Sequence, residues 1–126
     1  MSQLMRGHVE LDGVRLYRCT GFDDNGGRPK TKVIPVGAIK ATDTNIAPQQ
    51  VNGSITITGT EEDGFEFDYV ALCNGTSTHT FCRHFSTAWR KLITDVEFST
   101  YSDPIPTGDG ELSVTVNWVG TEELWE

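Results

Sequence analysis

The 126-residue sequence is short of positive charge: 10 Lys and Arg stand against 18 Asp and Glu, a net charge of −8. Phosphates must be met by cations, so this balance argues against tight nucleic-acid binding. Cysteine is scarce and odd in number, three in all, which excludes a complete disulfide framework and fits a reducing compartment. Long apolar runs are missing; none reaches the length of a membrane-spanning helix, and "MSQLMRGHVELDG" has no signal-peptide core. A protein made and used in a reducing cytoplasm is the expectation. Also missing are G-x-S-x-G, a Walker loop and H-E-x-x-H. "GFDDNGG" lacks the spacing of a calcium loop. Repeats and low-complexity tracts are absent too. The length and the 37% hydrophobic content fit one domain with one core.

The few cations are unevenly placed. Residues 1–40 carry seven against four acids, a balance of +3, and residues 41–126 a balance of −11. A basic arm on an acidic body suits another copy of the same chain. The plainer reading is a solvated loop.

Periodicity predicts a mainly β fold. "HVELDGVRLYRCTGF" reads as a hairpin: Val9 and Leu11 alternate with polar residues, Asp12-Gly13 turns, and 14–19 returns. "DDNGGRPKTK" is predicted to be neither strand nor helix, and it opens an irregular arm over residues 21–50. Pro29, Pro35 and Pro48 exclude a central strand from that arm. "VNGSITITGT" is a strand with Ile55 and Ile57 on one face. Phe65, Tyr69 and Leu72 have helical spacing after Glu61, Glu62 and Asp63, with Thr60 as cap; this predicts a short helix around 62–72 that ends at Asn74-Gly75, although "FEFDYV" also alternates. Strands are expected over 78–85 and 89–99, although Phe81, Phe85, Trp89 and Leu92 also sit at helical intervals. After the turn-rich "YSDPIPTGDG", "ELSVTVNWVG" is a last strand. The fold class is a β-sandwich or small barrel with one short helix and a long inter-strand arm.

Three strands share one wet face: Ser54, Thr56 and Thr58; Asp95, Glu97 and Ser99; Glu111, Ser113, Thr115 and Asn117. The plainer reading is an ordinary solvated sheet face. Cys73, His79, Cys82 and His84 give C-x5-H-x2-C-x-H, which is not paired-ligand zinc spacing. His79 and His84 differ in strand parity, and His8 stands alone. No catalytic residue, metal or cofactor is expected, and nothing favours an enzyme.

In order, "VELDGVRLY", "PVGAIKATDTNIAPQQVNGSITITG", the helix candidate and "ITDVEFSTYSDPIPTGDGELSVTVNW" resemble the tail tube proteins of bacteriophages, especially those of contractile tails. The aromatic, basic "THTFCRHFSTAWRKL" departs from that pattern. The resemblance implies a structural virion protein. Hexameric rings would stack into a hollow tail tube, their sheets joined edge to edge, and DNA would pass without specific binding. Tail sheath, baseplate and terminator proteins would be partners. On that reading Arg28, Lys30, Lys32, Val33, Ile34, Val36 and Ile39, with Ile46 as a further apolar anchor, make inter-ring arm contacts, and the wet face lines the lumen. A terminator ring or an injection-system tube follows as the nearest alternative. A monomeric β-sandwich that grips a ligand with Phe81, Phe85 and Trp89 is the alternative of another class.

Overall fold

The computed structural model describes residues 7–25, 30–33, 36–37, 43–46, 51–86, 88–108 and 110–126. The elements in chain order are β1 (His8–Leu11), β2 (Val14–Leu16), β3 (Cys19–Asn25), β4 (Lys30–Val33), β5 (Asp43–Ile46) and β6 (Val51–Thr60). Then come α1 (Tyr69–Asn74), β7 (His79–His84), β8 (Arg90–Tyr101), β9 (Ile105–Gly108), β10 (Glu111–Gly120) and β11 (Glu122–Trp125).

Among the described residues, nine strands make one antiparallel sheet along the path β2-β1-β7-β8-β10-β6-β3, with β9 beside β10 and β11 beside β8. The two ends of that path, β2 and β3, are separated in the chain only by Tyr17 and Arg18. The sheet must therefore curl round on itself into an open barrel. The Glu66 carboxylate holds the corner, accepting from Tyr17 N at 2.9 Å and Arg18 N at 2.5 Å. Those two amides face away from any ladder, and the carboxylate supplies the acceptors they need. This is why the expected return strand over 14–19 breaks at Leu16.

The second corner lies in β8. Its first half pairs with β7 and β11, and its second half pairs with β10. Buried positions switch parity there, from Lys91 and Ile93 to Val96 and Phe98. Asp95 takes the extra position at φ 52°. A strand that passes between two sheet faces through a bulge is how such corners are made.

The barrel is filled by the inward residues of each strand. Val9, Val51, Ile55, Phe81, Ile93, Val96 and Val116 are fully buried, and Trp118 nearly so. Phe81 and Trp118 pack at 5.3 Å between ring centroids, with Phe22 against both. The predicted hairpin holds: Val9 pairs with Leu16 and Leu11 with Val14. Asp12 at φ 52° and Gly13 at φ 85° supply the left-handed turn.

The helix ends at Asn74 with Gly75 as its cap, as the sequence suggests, but it starts later than the spacing predicts. Thr60 Oγ1 does accept from Asp63 N at 2.9 Å, but it closes a turn back to Gly64 rather than opening a helix. Gly64 at φ 68° ends that turn. Asp68 caps α1 instead, accepting from Ala71 N at 3.2 Å. Tyr69 then packs edge-on against Tyr101 of β8, and Phe67 lies on Phe98.

The arm also differs from expectation. Asp23 to Asn25 are strand, paired with Ser54 to Asn52 of β6. Within the rest, β4 and β5 form a separate two-stranded ribbon with Lys30 opposite Ile46 and Val33 opposite Asp43. The charged, proline-bounded sequence conceals a pair of strands because ladder pairing is made by the backbone and needs no apolar alternation.

Candidate functional site

The polar positions of four strands come together on the outer face of β3, β6, β10 and the second half of β8. Opposite pairs are Ser54 with Asn117, Thr56 with Thr115, Thr58 with Ser113, and Thr60 with Glu111. Thr56 and Thr115 approach at 3.3 Å through their hydroxyls. Asn117 Nδ2 donates to Thr100 Oγ1 at 2.8 Å, and Ser99 Oγ donates to the Asn117 carbonyl at 3.2 Å. Asp95, Glu97, Ser99 and Asn117 are exposed, and Ser54, Thr56, Glu111, Ser113 and Thr115 are half-buried.

Thr58 departs from the expected wet face. It is buried, because its hydroxyl donates to the Arg18 carbonyl at the β2–β3 corner, 3.3 Å away. Three further residues join the face. Asp23 lies opposite Ser54, exposed Val119 lies opposite Glu97, and Thr100 bonds Asn117. Asp23 was hidden because its strand looked like loop.

This part of the sheet is open on both sides among the described residues. One edge is β3; the other is β9, whose four residues are all exposed. Of the expected arm contacts, Lys30, Lys32 and Val33 lie in β4, Lys32 is exposed and Val36 is fully exposed in a turn. Arg28, Ile34 and Ile39 lie outside the described residues.

Next to this face, beyond Asp24, lies a charged and aromatic cluster. The Lys91 ammonium is almost fully buried, paired with Asp24 and lying 3.7 Å from Glu123. It sits 4.9 Å from the centre of the Trp125 ring. Trp125 packs on Phe85 at 5.5 Å and on Trp89 at 5.0 Å, and both tryptophans are about half exposed. Phe81 is part of the core and cannot grip a ligand; that removes one of the three aromatics expected of a binding module.

The histidines group differently from the expected spacing. His79 Nδ1 meets Asp12 Oδ2 at 2.6 Å, and Asp12 Oδ1 accepts from Thr80 N, so His79 fastens the first hairpin to β7. His8 is not alone: its ring stacks on His84 at 4.2 Å, with Glu10 between the two strands' side chains. Burial and the neighbouring His84 hold the His8 imidazole below its usual pKa. Cys82 lies 3.3 Å from His84 Nε2, and burial and then Glu10 push its thiol up. Burial also raises Cys73, and takes Cys19 up to about 11.

No family model and no curated relative matches the chain. Solved structures do, and they define a fold class: the curled sheet with a short helix is shared with subunits of contractile injection systems. A chain of an extracellular contractile injection system described as the PVC sheath-tube complex in the extended state superposes with a TM-score of 0.73 at 6% identity. The match covers 100% of this chain and 91% of that one. A chain of the PVC sheath/tube terminator gives 0.66 at 8% identity, covering 100% and 96%. A chain of the anti-feeding prophage tube terminating cap gives 0.61 at 10%, covering 100% and 91%. At such identities the likeness is one of fold.

Proposed function

We propose that the protein is a structural tube subunit of a contractile-tail machine, a phage tail or a related injection device, and does no catalysis. Copies close into rings, taken as hexameric by analogy with tail tubes. The rings stack into a hollow tube that meets sheath, baseplate and terminator proteins. In a phage this places the chain in the virion tail, with DNA passing through the lumen.

The observation that carries this reading is the two-stranded β4–β5 ribbon, outside the large sheet of a fold that superposes on a sheath-tube complex chain. A lone two-stranded ribbon is marginal in water. A neighbouring ring supplies the missing surface: Arg28, Lys30 and Lys32 meet its acids, and Val33, Ile34, Val36, Ile39 and Ile46 supply apolar contact. Exposed ion pairs contribute only ~0–1 kcal/mol each, so the apolar anchors matter more. Within a ring, the β3 edge of one copy adds to the β9 edge of the next, removing two edges that invite uncontrolled pairing. The face built from Ser54, Thr56, Thr115, Asn117, Glu97, Asp95, Ser99, Ser113, Glu111 and Asp23 then lines the lumen. Its acids repel phosphate rather than bind it.

A terminator or cap ring is the second reading, favoured by the two further superpositions. It forms one ring and no tube.

The arm tests the proposal. Asn25 pairs directly with Asn52, so residues 26–51 connect the two strands of a β3–β6 hairpin. Replacing residues 26–50 with Asn-Gly, which with Val51 makes a three-residue loop, keeps the body folded. Rings without stacks in electron micrographs are the expected outcome, and tubes of normal length from this variant would contradict it.

A further inference from the structure

Strands β1 and β7 carry a square of four side chains on one face of their ladder. His8 lies opposite His84 and Glu10 opposite Cys82. The other face of the same ladder, with Val9 and Phe81, is the core. Directly opposite residues on a common sheet face hold their Cβ atoms about 4.5–5.5 Å apart. All four side chains are therefore aimed at one patch.

Their donor atoms converge. The ligand atoms of His8, Glu10 and His84 all lie within 4.8 Å of one another. His8 Nε2 is 3.5 Å from Glu10 Oε2, which also contacts His84 Nε2. Cys82 Sγ reaches the same His84 nitrogen at 3.3 Å but lies outside that mutual 4.8 Å group, so it joins the set through His84 and must turn toward the other two to ligate with them. A tetrahedral ion with bonds of about 2.0–2.3 Å has ligand-to-ligand edges of about 3.3–3.7 Å. The His8–Glu10 and Cys82–His84 separations already match such edges.

We propose that His8, Glu10 and His84, with Cys82 as the fourth donor, form a binding site for a divalent transition metal of the zinc class. Two imidazoles, one carboxylate and one thiolate are borderline donors and suit zinc better than calcium or magnesium. The carboxylate and thiolate together balance a dication, so the filled site is neutral. Bound metal ties the first strand to β7 at four points, close to where Gly7 packs against the His84 carbonyl. The site departs from the sequence expectation of no metal, and it does not depend on assembly into a tube.

The test is a Co(II) titration of the full, untagged, reduced chain, followed by visible absorption and by Zn(II) competition. One equivalent should saturate, giving the strong d–d bands of tetrahedral cobalt and a thiolate-to-cobalt charge-transfer band. Zn(II) should displace it. His8→Gln and His84→Gln should each weaken binding at least about tenfold. Cys82→Ser should lose the charge-transfer band and keep the d–d bands. His79→Gln and Cys73→Ser, outside the square, should bind as the parent does. Circular dichroism of each variant separates lost binding from lost fold. Absence of saturable one-equivalent binding in the parent would overturn the proposal. So would an unchanged spectrum in His84→Gln, or dependence on His79 or Cys73.

Discussion

Lys91 on β8 pairs with Asp24 on β3 across the end of the barrel, joining strands that are not neighbours in the sheet. Both side chains are largely withdrawn from water, at 6% and 16% exposure. Such a pair is costly to half-remove. Lys91→Ala leaves Asp24 and Glu123 without their ammonium, and a loss of about 3–5 kcal/mol is expected. Adding Asp24→Asn should recover part of that. Urea unfolding of the two single variants and the double variant measures the coupling, which should exceed about 1 kcal/mol.

Gly53 on β6 is the second sensitive place. A Cβ there would lie 1.9 Å from the Asp23 backbone carbonyl oxygen. Backbone cannot swing aside as a side-chain tip can. Gly53→Ala should force β3 away from β6 and destabilise by at least about 1–3 kcal/mol. Gly13→Ala meets open space but has φ 85°, so its cost is backbone strain alone and should be smaller. Thermal unfolding of both variants ranks them.

Cys19 gives a pH dependence of known sign. Burial takes its thiol up to about 11, and the thiol donates to the Gly21 carbonyl. At pH 8 roughly one such thiol in a thousand is ionised, against roughly one in four for an ordinary cysteine. Alkylation at pH 8 should therefore label Cys73 well before Cys19, as peptide mapping would read. The folded chain resists ionisation and the unfolded chain does not. Stability is thus fully present below the unfolded value and falls as pH rises from roughly 8.5 to about 11. Cys19→Ser should flatten that part of the curve.

The proposed lumen face makes a charge prediction. Asp95, Glu97 and Glu111 replaced together by Lys should leave assembly intact, because these side chains lie outside the core. The altered tubes should retain double-stranded DNA at about 50 mM salt and release it near 200 mM, as counterion-driven binding requires. Cosedimentation of DNA with parent and variant tubes reads this. Equal DNA retention by both would remove the lumen assignment.

Much of the fold was legible where alternation meets a core on one side. Strands β1, β6, β8 and β10 were visible in Val9/Leu11, Ile55/Ile57, Ile93/Val96/Phe98 and Val114/Val116/Trp118. The parity change between Ile93 and Val96 even marks the bulge. The helix end at Asn74-Gly75 was legible, but its start was missed because Phe65 and Tyr69 have helical spacing, yet the Thr60 turn and the Glu66 clamp keep residues 61–67 out of the helix. Strand β3 was missed because Asp23 and Asp24 look like a loop, although Asp24 owes its place to a lysine 67 residues away. The His8–His84 cluster was invisible for the same reason: strand pairing between distant segments, not spacing along the chain, creates it.

Direct imaging tests the central claim, that this chain completes itself only among identical copies. Untagged protein at high concentration should be examined by negative-stain electron microscopy. Rings or hollow tubes of uniform diameter are the expected result. A field of single small particles at every concentration, with the 26–50 segment resistant to protease in those monomers, would contradict the account.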